Sequence, residues 1–256
     1  KIESFGRTAP YGRMLVSNNI LIFPNYQNKL FLYDTNTGQK NHCSLNADLY
    51  RSVTNGKYNN RIPATIDASG NLVIKSYEGG KIKFRKFTLR GTTACPVGKA
   101  NATYTFNYDY DLRYSEVIEA HPSNANIFYL LNRNGNRILK YTFNSTTSYT
   151  KNASVGRRGR LSGTYAPTSA SQVRFNYPED FRIDTALNRI FVADTQNSAI
   201  QSFDLDLDFH DMSGYSTRST RMAGAHEAIK SIVTDSSLIS SVNFGFGYWS
   251  SSYSRI

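Results

Sequence analysis

The chain has little cysteine and tryptophan, with two and one residues among 256. It has no apolar run close to the ~18 residues that a membrane-spanning helix needs. Its four histidines lie in different parts of the chain and form neither an H-x-H nor an H-E-x-x-H pair. A G-x-S-x-G turn, a Walker phosphate loop and a catalytic Cys–His pairing are also missing. We therefore expect no metal, no cofactor and no catalytic residue.

Aromatic and small polar residues are abundant instead. The chain has 18 tyrosines and 15 phenylalanines, and asparagine, serine and threonine fill the gaps between short apolar runs. Aromatics suit pleated strands and small polar residues suit turns, so this composition predicts an all-β protein. Helical periodicity is scarce, and its best candidate is the short segment 223–232.

One short motif recurs along the chain. In it, an aliphatic residue is followed two or three positions later by an aromatic one. It reads N-K-L-F-L-Y-D at 28–34, G-K-I-K-F at 80–84, N-R-I-L-K-Y at 136–141, N-S-A-I-Q-S-F-D at 197–204 and K-I-E-S-F at 1–5. The aliphatic anchors are Leu30, Ile82, Ile138, Ile200 and Ile256, spaced 52 to 62 residues apart. A nearly regular spacing of this size indicates a repeat architecture.

The unit that ends at 204 shows how one repeat is built. Residues 175–184, 189–194 and 199–204 predict three short strands, and the apolar run 190–193 indicates a strand buried on both faces. Asp184 and Asn188 flank the first turn of this unit and are four residues apart. Asp67 and Asn71 have the same spacing in an earlier unit. A fourth strand is expected after each anchor, as at 146–155. Four antiparallel strands per unit predict the blades of a β-propeller.

At F-N-Y-P (175–178) and onward to Asp204, the chain resembles the NHL-repeat family of propellers. The resemblance is good over 156–206, partial over 61–87 and 116–141, and faint in the terminal units. It implies a propeller and no particular function. One NHL-like enzyme class, the peptide-amidating lyases, holds a metal with channel histidines, and here only His121 aligns with the channel positions of Asp67 and Asp184.

The anchors predict a single domain of five blades over 1–256. Their approximate bounds are 6–48, 49–106, 107–155, 156–213 and 214–256, and strand 1–5 would close the ring by completing the last blade. The alternative is a six-bladed or truncated ring. Cys43 and Cys95 each lie 13 residues after an anchor, in neighbouring units, so we expect them beyond the ~7 Å Cα separation that a disulfide allows.

In a propeller, the loops that enter each blade share one face with the turns between second and third strands. These segments are rich in tyrosine, arginine and amides, which are typical of binding surfaces and suit sugar rings. The candidate ligand-binding residues are Tyr58, Asn59, Arg61, Tyr108, Tyr110, Arg113, Asn132, Arg133, Arg157, Arg158, Arg160, Tyr165, Asp194 and Tyr253.

The function expected from these observations is non-catalytic recognition or adhesion, with a glycan or protein ligand on that face. The low charged fraction of 19% and the scarce cysteine are typical of a bacterial exported or cell-surface module. The numbering begins inside a repeat phrase without a signal sequence. We therefore interpret the chain as a mature or trimmed piece, belonging to a larger multidomain or fibre-forming protein.

Three alternatives stay open at this point. The net charge of +11 would suit single-stranded RNA, bound by Arg61, Arg113, Arg157, Arg158 and Arg160 with stacked tyrosines. A propeller enzyme could draw channel-lining residues from separate blades. Aspartates at 204, 206, 208 and 211 suggest calcium, but they lack the glycine and distal glutamate of an EF-hand loop.

Overall fold

Four antiparallel sheets, each made of four strands in chain order, follow one another along the chain. The computed structural model describes residues 14–17, 19–25, 29–44, 63–89, 100–161 and 167–213. In every sheet each strand pairs with the strand before it in sequence, so each sheet is a simple meander. This confirms the predicted all-β architecture of four-stranded propeller blades.

The first two blades occupy the N-terminal half of the described chain. Blade 1 consists of β1 (Leu15–Ser17), β2 (Ile20–Asn25), β3 (Lys29–Asp34) and β4 (Lys40–Ser44). Blade 2 consists of β5 (Ala64–Ile66), β6 (Asn71–Glu78), β7 (Lys81–Thr88) and β8 (Ala102–Phe106).

The next two blades are preceded by short additional elements. Blade 3 follows helix α1 (Tyr110–Tyr114) and consists of β9 (Val117–His121), β10 (Asn124–Asn132), β11 (Arg137–Phe143) and β12 (Tyr149–Val155). Blade 4 follows the parallel pair β13 (Arg157–Arg158) and β14 (Arg174–Phe175). The blade itself consists of β15 (Pro178–Asp184), β16 (Arg189–Asp194), β17 (Ala199–Asp204) and β18 (Phe209–Ser213). Two single-turn 3-10 helices lie at Ala170–Gln172 and Thr195–Asn197.

The repeated phrase is the start of the third strand in each blade. Leu30, Ile82, Ile138 and Ile200 are each the second residue of β3, β7, β11 and β17. The predicted fifth blade at 214–256, the closing strand 1–5, the helix at 223–232 and the side chains of both cysteines lie outside the described residues.

The hydrophobic core consists of three clusters, one between each pair of neighbouring blades. Leu72 and Ile74 of β6 pack against blade 1, whereas Val73 between them packs against blade 3. Successive residues of β10 alternate in the same way: Phe128 joins the cluster with blade 2, and Tyr129 joins the cluster with blade 4. Since side chains alternate along a strand, a middle strand covered on both faces must be apolar throughout. This is why the second strands read as unbroken apolar runs.

The first strands lie side by side around the central axis, with β5 between β1 and β9, and β9 between β5 and β15. Side chains connect them directly. The amide of Ala120 donates to Thr65 Oγ1 at 3.3 Å, and the amide of Ile183 donates to Glu119 Oε2 at 3.2 Å. Neighbouring blades are therefore joined at the axis by hydrogen bonds as well as by apolar packing.

Aspartates close the turns at the end of the first strands. Asp67 Oδ1 accepts from the amides of Ser69 and Asn71, and Asp184 Oδ1 accepts from those of Ala186 and Leu187. In blade 3 the same place is taken by His121, whose Nδ1 accepts from the amide of Ser123 at 3.2 Å. Asp and Asn favour turns because their short side chains bind nearby backbone amides in this way.

Candidate functional site

The loops singled out in the sequence lie at one end of the sheets. Because each sheet is an antiparallel meander, the start of its first strand lies at the same end as the turn between its second and third strands. We call this end the top face. It comprises the turns at 79–80, 133–136 and 195–198 and the segments 107–116 and 157–161 that lead into blades 3 and 4.

Arg113 lies among tyrosine rings on the top face. Its guanidinium carbon is 4.4 Å from the centre of the Tyr77 ring, 5.0 Å from that of Tyr114 and 5.5 Å from that of Tyr108. Tyr110 packs on Tyr114 with 4.7 Å between ring centres. Tyr108 and Tyr110 keep 51% and 54% of their surface exposed. We call these four tyrosines and Arg113 the tyrosine cluster, and its cation–ring distances are those of favourable cation–π contacts.

Arg113 has no acidic partner among the described residues. No carboxylate there lies within ion-pair distance of its guanidinium, and its buried Nε donates no hydrogen bond. A guanidinium has five N–H donors in a rigid fork. The tyrosine cluster therefore presents a positive charge without an acidic partner, together with the exposed rings of Tyr108 and Tyr110.

A buried lysine holds the backbone beneath the cluster. Lys75 Nζ donates to the carbonyl oxygen of Ser115 at 2.6 Å and to that of Arg113 at 3.1 Å. These carbonyls end α1, where the helix leaves backbone acceptors without partners of its own. Burial lowers the pKa of Lys75 to about 7, although the charge of Glu116 opposes this shift. Lys75 thus fixes α1 to blade 2.

A buried carboxylate connects α1 to blade 3. Asp111 Oδ1 accepts from Asn132 Nδ2 at 3.0 Å, and its Oδ2 accepts from Lys151 Nζ at 2.6 Å. Asn132 is completely buried, and its Oδ1 accepts from the amide of Gly135. The helix is therefore fastened on both sides, by Lys75 to one blade and by Asp111 to the next.

A second arginine–tyrosine contact lies where the chain enters blade 4. The ring centre of Tyr177 is 5.6 Å from the guanidinium carbon of Arg158 and 5.9 Å from that of Arg133. Arg133 also forms a 2.5 Å ion pair with Glu179. The amide of Tyr177 donates to Asn136 Oδ1 at 2.9 Å, which fixes the position of the ring.

Asp194 is the centre of a buried polar network at the corner of blade 4. Its Oδ1 accepts from the amide of Asn176, and its Oδ2 accepts from the side-chain amides of Asn197 and Gln201, at 2.7 to 2.9 Å. Burial raises the pKa of Asp194 to about 6, and the three hydrogen bonds partly oppose the shift. All the donors are neutral, so the carboxylate is solvated by amides alone.

The structure divides the candidate binding residues into three groups. Tyr108, Tyr110 and Arg113 come together in the tyrosine cluster, while Arg133 and Arg158 meet at Tyr177, with Arg157 and Arg160 exposed nearby in the chain. Asn132 and Asp194 are 0% exposed with their oxygens occupied, so they shape the corners and do not face a ligand. The remaining candidates lie outside the described residues: Tyr58, Asn59, Arg61, Tyr165 and Tyr253.

Sequence reasoning missed Tyr77, Tyr114, Tyr177 and Lys75 as parts of this surface. Tyr77 lies two residues before the turn at Gly79 and Gly80 between the second and third strands of blade 2, so its place in the repeat could have indicated the top face. Lys75 carried no such signal. A lysine inside an apolar strand is recognisable as an anchor only when its partners, 38 and 40 residues away, are known.

The opposite end of the first strands forms a cavity of about 220 Å³ at the axis. Asp67, Glu119 and His121 contribute its ionisable side chains. Asp67 is paired with Lys86 at 3.1 Å, and Glu119 is paired with Arg182 at 3.1 Å. Burial lowers the pKa of His121, and the charge of Lys140 lowers it further. Asp67 is therefore engaged within blade 2, whereas Glu119 joins blade 3 to blade 4.

The acidic side chains of the described residues do not converge on a metal site. Within the described ranges, no three histidine, cysteine, aspartate or glutamate side chains lie close enough to hold a metal ion together. The acidic run after Asp204 is a turn: Asp204 Oδ1 accepts from the amides of Asp206 and Asp208, and Asp206 is paired with Lys140 at 2.6 Å. In those ranges, no helix has the length and apolarity required to cross a membrane.

Comparison with known proteins gives likeness of fold alone. No family model and no curated protein matches the sequence. Among solved structures, the chain is similar to a catalytically inactive virginiamycin B lyase from Staphylococcus aureus with quinupristin, at 15% identity and a TM-score of 0.46. It is also similar to a functionally unknown protein from Desulfotomaculum acetoxidans at 13% and 0.48, and to dihydro-heme d1 dehydrogenase at 12% and 0.42.

These matches cover 81%, 82% and 81% of this chain, but only 56%, 57% and 37% of the other three, in the same order. The chain thus spans little more than half the length of the first two proteins. The class that the sheets define is a β-propeller. The neighbours include enzymes of different kinds, and at these identities they do not determine what this propeller does.

Proposed function

We propose that this propeller is a non-catalytic recognition module that binds a glycan on its top face. The observation that carries the proposal is the tyrosine cluster, in which half-exposed Tyr108 contacts an arginine without an acidic partner and half-exposed Tyr110 packs on the adjoining Tyr114. Aromatic faces stack on the apolar faces of sugar rings, while arginine donors bind hydroxyl and carboxylate oxygens. Tyrosine supplies this contact area at a low cost in conformational entropy.

The support of α1 favours binding over a structural role for the exposed rings. Lys75 and Asp111 hold the helix from two sides, and Leu112 anchors it in the core between blades 2 and 3. A surface held rigid before binding loses less freedom when it binds, which raises affinity. At the other end, the cavity carboxylates Asp67 and Glu119 are each paired with a basic side chain of the propeller itself, which supports a non-catalytic role.

We also propose that the blades are of the NHL type and that the module acts outside the cell, as part of a larger surface or fibre-forming protein. The NHL proposal is supported by Phe175 and Pro178 at the start of β15 and by Asp184 and Asn188 at the next turn. The proposed location is supported by the tyrosine-rich, cysteine-poor composition.

A glycan array at physiological salt, followed by titration calorimetry with the best sugar, tests the proposed function. We expect a double Tyr108→Ala and Tyr110→Ala variant to bind that sugar at least about fivefold more weakly, because each aromatic contact is worth about 0.5–1.5 kcal/mol. Leu187→Ala is the control, since Leu187 is also exposed but lies at the bottom end of blade 4.

The same array carries single-stranded RNA, for which Arg158 on Tyr177 is the most suitable described contact. RNA binding that weakens steeply with salt, without sugar binding, would replace the glycan proposal with the nucleic-acid alternative. Binding of neither ligand would favour a protein partner on the same face.

A further inference from the structure

Two carboxylates near Arg113 in the chain, Asp109 and Asp111, are engaged with other partners. Asp109 accepts from the Tyr149 hydroxyl and from the amide of Leu112, and Asp111 accepts from Lys151 and Asn132. Glu78, one residue after Tyr77, is held by two side chains of its own sheet, Arg85 at 2.6 Å and Lys83 at 2.8 Å. These acids therefore leave the charge of Arg113 available to a ligand.

The surroundings of Arg113 strengthen its attraction for an anion. Three tyrosine rings lie within 5.5 Å of its guanidinium carbon and exclude water from that side. Electrostatic attraction is stronger where water is excluded. The planar guanidinium fork also matches the two oxygens of a carboxylate, which a lysine ammonium does not.

The charge and the exposed rings are close enough for one small ligand to use both. The Tyr108 ring centre is 5.5 Å from the guanidinium carbon, so the exposed ring and the charge lie side by side on the same surface. The backbone carbonyl of Arg113 is bound by Lys75, so the position from which the side chain extends is fixed.

We propose that the tyrosine cluster selects acidic saccharides, with the carboxylate of a uronic-acid-type sugar on Arg113 and the sugar ring against Tyr108. This inference rests on the proposed function and narrows its ligand class. Calorimetric titration of the purified chain with two matched disaccharides tests it, one ending in a hexuronate and the other in the corresponding neutral hexose. We expect the hexuronate to bind about 10- to 100-fold more tightly, as a charge-assisted hydrogen bond would give.

Variants of Arg113 assign that preference to one side chain. Arg113→Gln should abolish the preference, so that the hexuronate and the neutral hexose disaccharide bind with similar affinity. Arg113→Lys should retain part of the preference, since it keeps the charge and loses the fork. Arg189→Gln is the matched control for loss of one positive charge, because Arg189 begins β16 at the bottom end of blade 4. Thermal unfolding of each variant confirms that it is folded.

The outcomes separate this inference from the proposed function. Equal affinity for both disaccharides would overturn the acidic preference and leave a glycan-binding module. An equal loss in Arg189→Gln would also overturn it, since net charge would then be the cause. Tighter binding of a sulfated than of a carboxylated sugar would contradict the carboxylate assignment. Binding of no sugar at all would count against the proposed function itself.

Discussion

The corners of blades 3 and 4 have a similar backbone conformation but hold different polar groups. In both, the turn between the second and third strands ends at a residue in the left-handed region, Asn136 in blade 3 and Ser198 in blade 4, each with a φ of 52°. A buried carboxylate lies at each corner. In blade 3 it is Asp111, which comes from the preceding helix and is paired with Lys151 at 2.6 Å. In blade 4 it is Asp194, which belongs to the turn itself and is bound by amides.

The difference shows two ways to keep a carboxylate inside a repeat protein. A cation can neutralise it, as in blade 3, and the charge pair then extends towards solvent through the partly exposed Lys151. Neutral donors can solvate it instead, as in blade 4, and the pKa of Asp194 then rises to about 6 because burial still penalises the charge. The first solution joins blade 3 to the preceding helix through a charge pair, whereas the second joins the turn to the segment at Asn176 through neutral donors.

The largest effect is expected at Gly156, which lies between the two corners with a φ of +101°. A Cβ there would overlap the Phe175 ring and lie 2.8 Å from the carbonyl oxygen of Asn136. Gly156→Ala should therefore lower the free energy of unfolding by about 3 kcal/mol or more in urea titration. Gly38→Ala is the control, with a φ of +71° and open space around it, and should cost only about 1 kcal/mol. Equal losses would mean that Phe175 moves aside without cost.

A smaller effect is expected when blade 3 is given the chemistry of blade 4. Asn132→Asp places a second carboxylate about 3.0 Å from Asp111 Oδ1, and this repulsion should cost about 2–3 kcal/mol at pH 7. Adding Asp111→Asn should restore most of the loss, because one buried carboxylate remains and an amide faces it again. A double-mutant cycle in urea measures this coupling, and simple additivity of the two losses would contradict it.

The smallest effect at neutral pH is expected for Asp194→Asn. The new NH₂ group would oppose one of the amide donors, and Asn197 cannot turn to compensate because it also binds Gly159 and Leu161. We expect a loss of about 1–2 kcal/mol at pH 7 in urea titration.

The pH dependence of that loss tests the cause of the raised pKa. Because the pKa of Asp194 is about 6 when folded and 3.8 in the reference state, the native protein binds a proton first as the pH falls. Its stability relative to the variant should rise by up to about 3 kcal/mol between pH 7 and pH 4. A relative stability that falls over this range would show that the amide network favours the charged form.

The blades could be predicted from sequence because their determinants are local. The anchors Leu30, Ile82, Ile138 and Ile200 mark the third strands, and the step from Asp67 to Asn71 marks a turn that its own side chain closes. Alternate residues of a second strand pack against the blades on either side, and this makes the strand apolar on both faces. Each of these features repeats along the chain and can be recognised by comparing its copies.

The site could be predicted only in part, because its contacts join segments that are distant in sequence. Tyr108, Tyr110 and Arg113 lie in one loop and were found, but Tyr77 comes from the preceding blade, 36 residues before Arg113. The sequence predicts Asn132 and Asp194 on the surface, because polar side chains in turns are usually exposed. Their burial depends on partners such as Asp111 and Gln201, which no local pattern reveals.

The strand order within each sheet has a consequence for how the chain folds. Each strand pairs with the one just made, so most ladders close across a short connection such as the turn from Asp67 to Asn71. Pairing over short sequence distances loses little loop entropy and is fast. We therefore expect the blades to form one after another as the chain leaves the ribosome. Contacts such as Thr65 with Ala120 then add each new blade to the one before, so that synthesis and assembly proceed in the same direction.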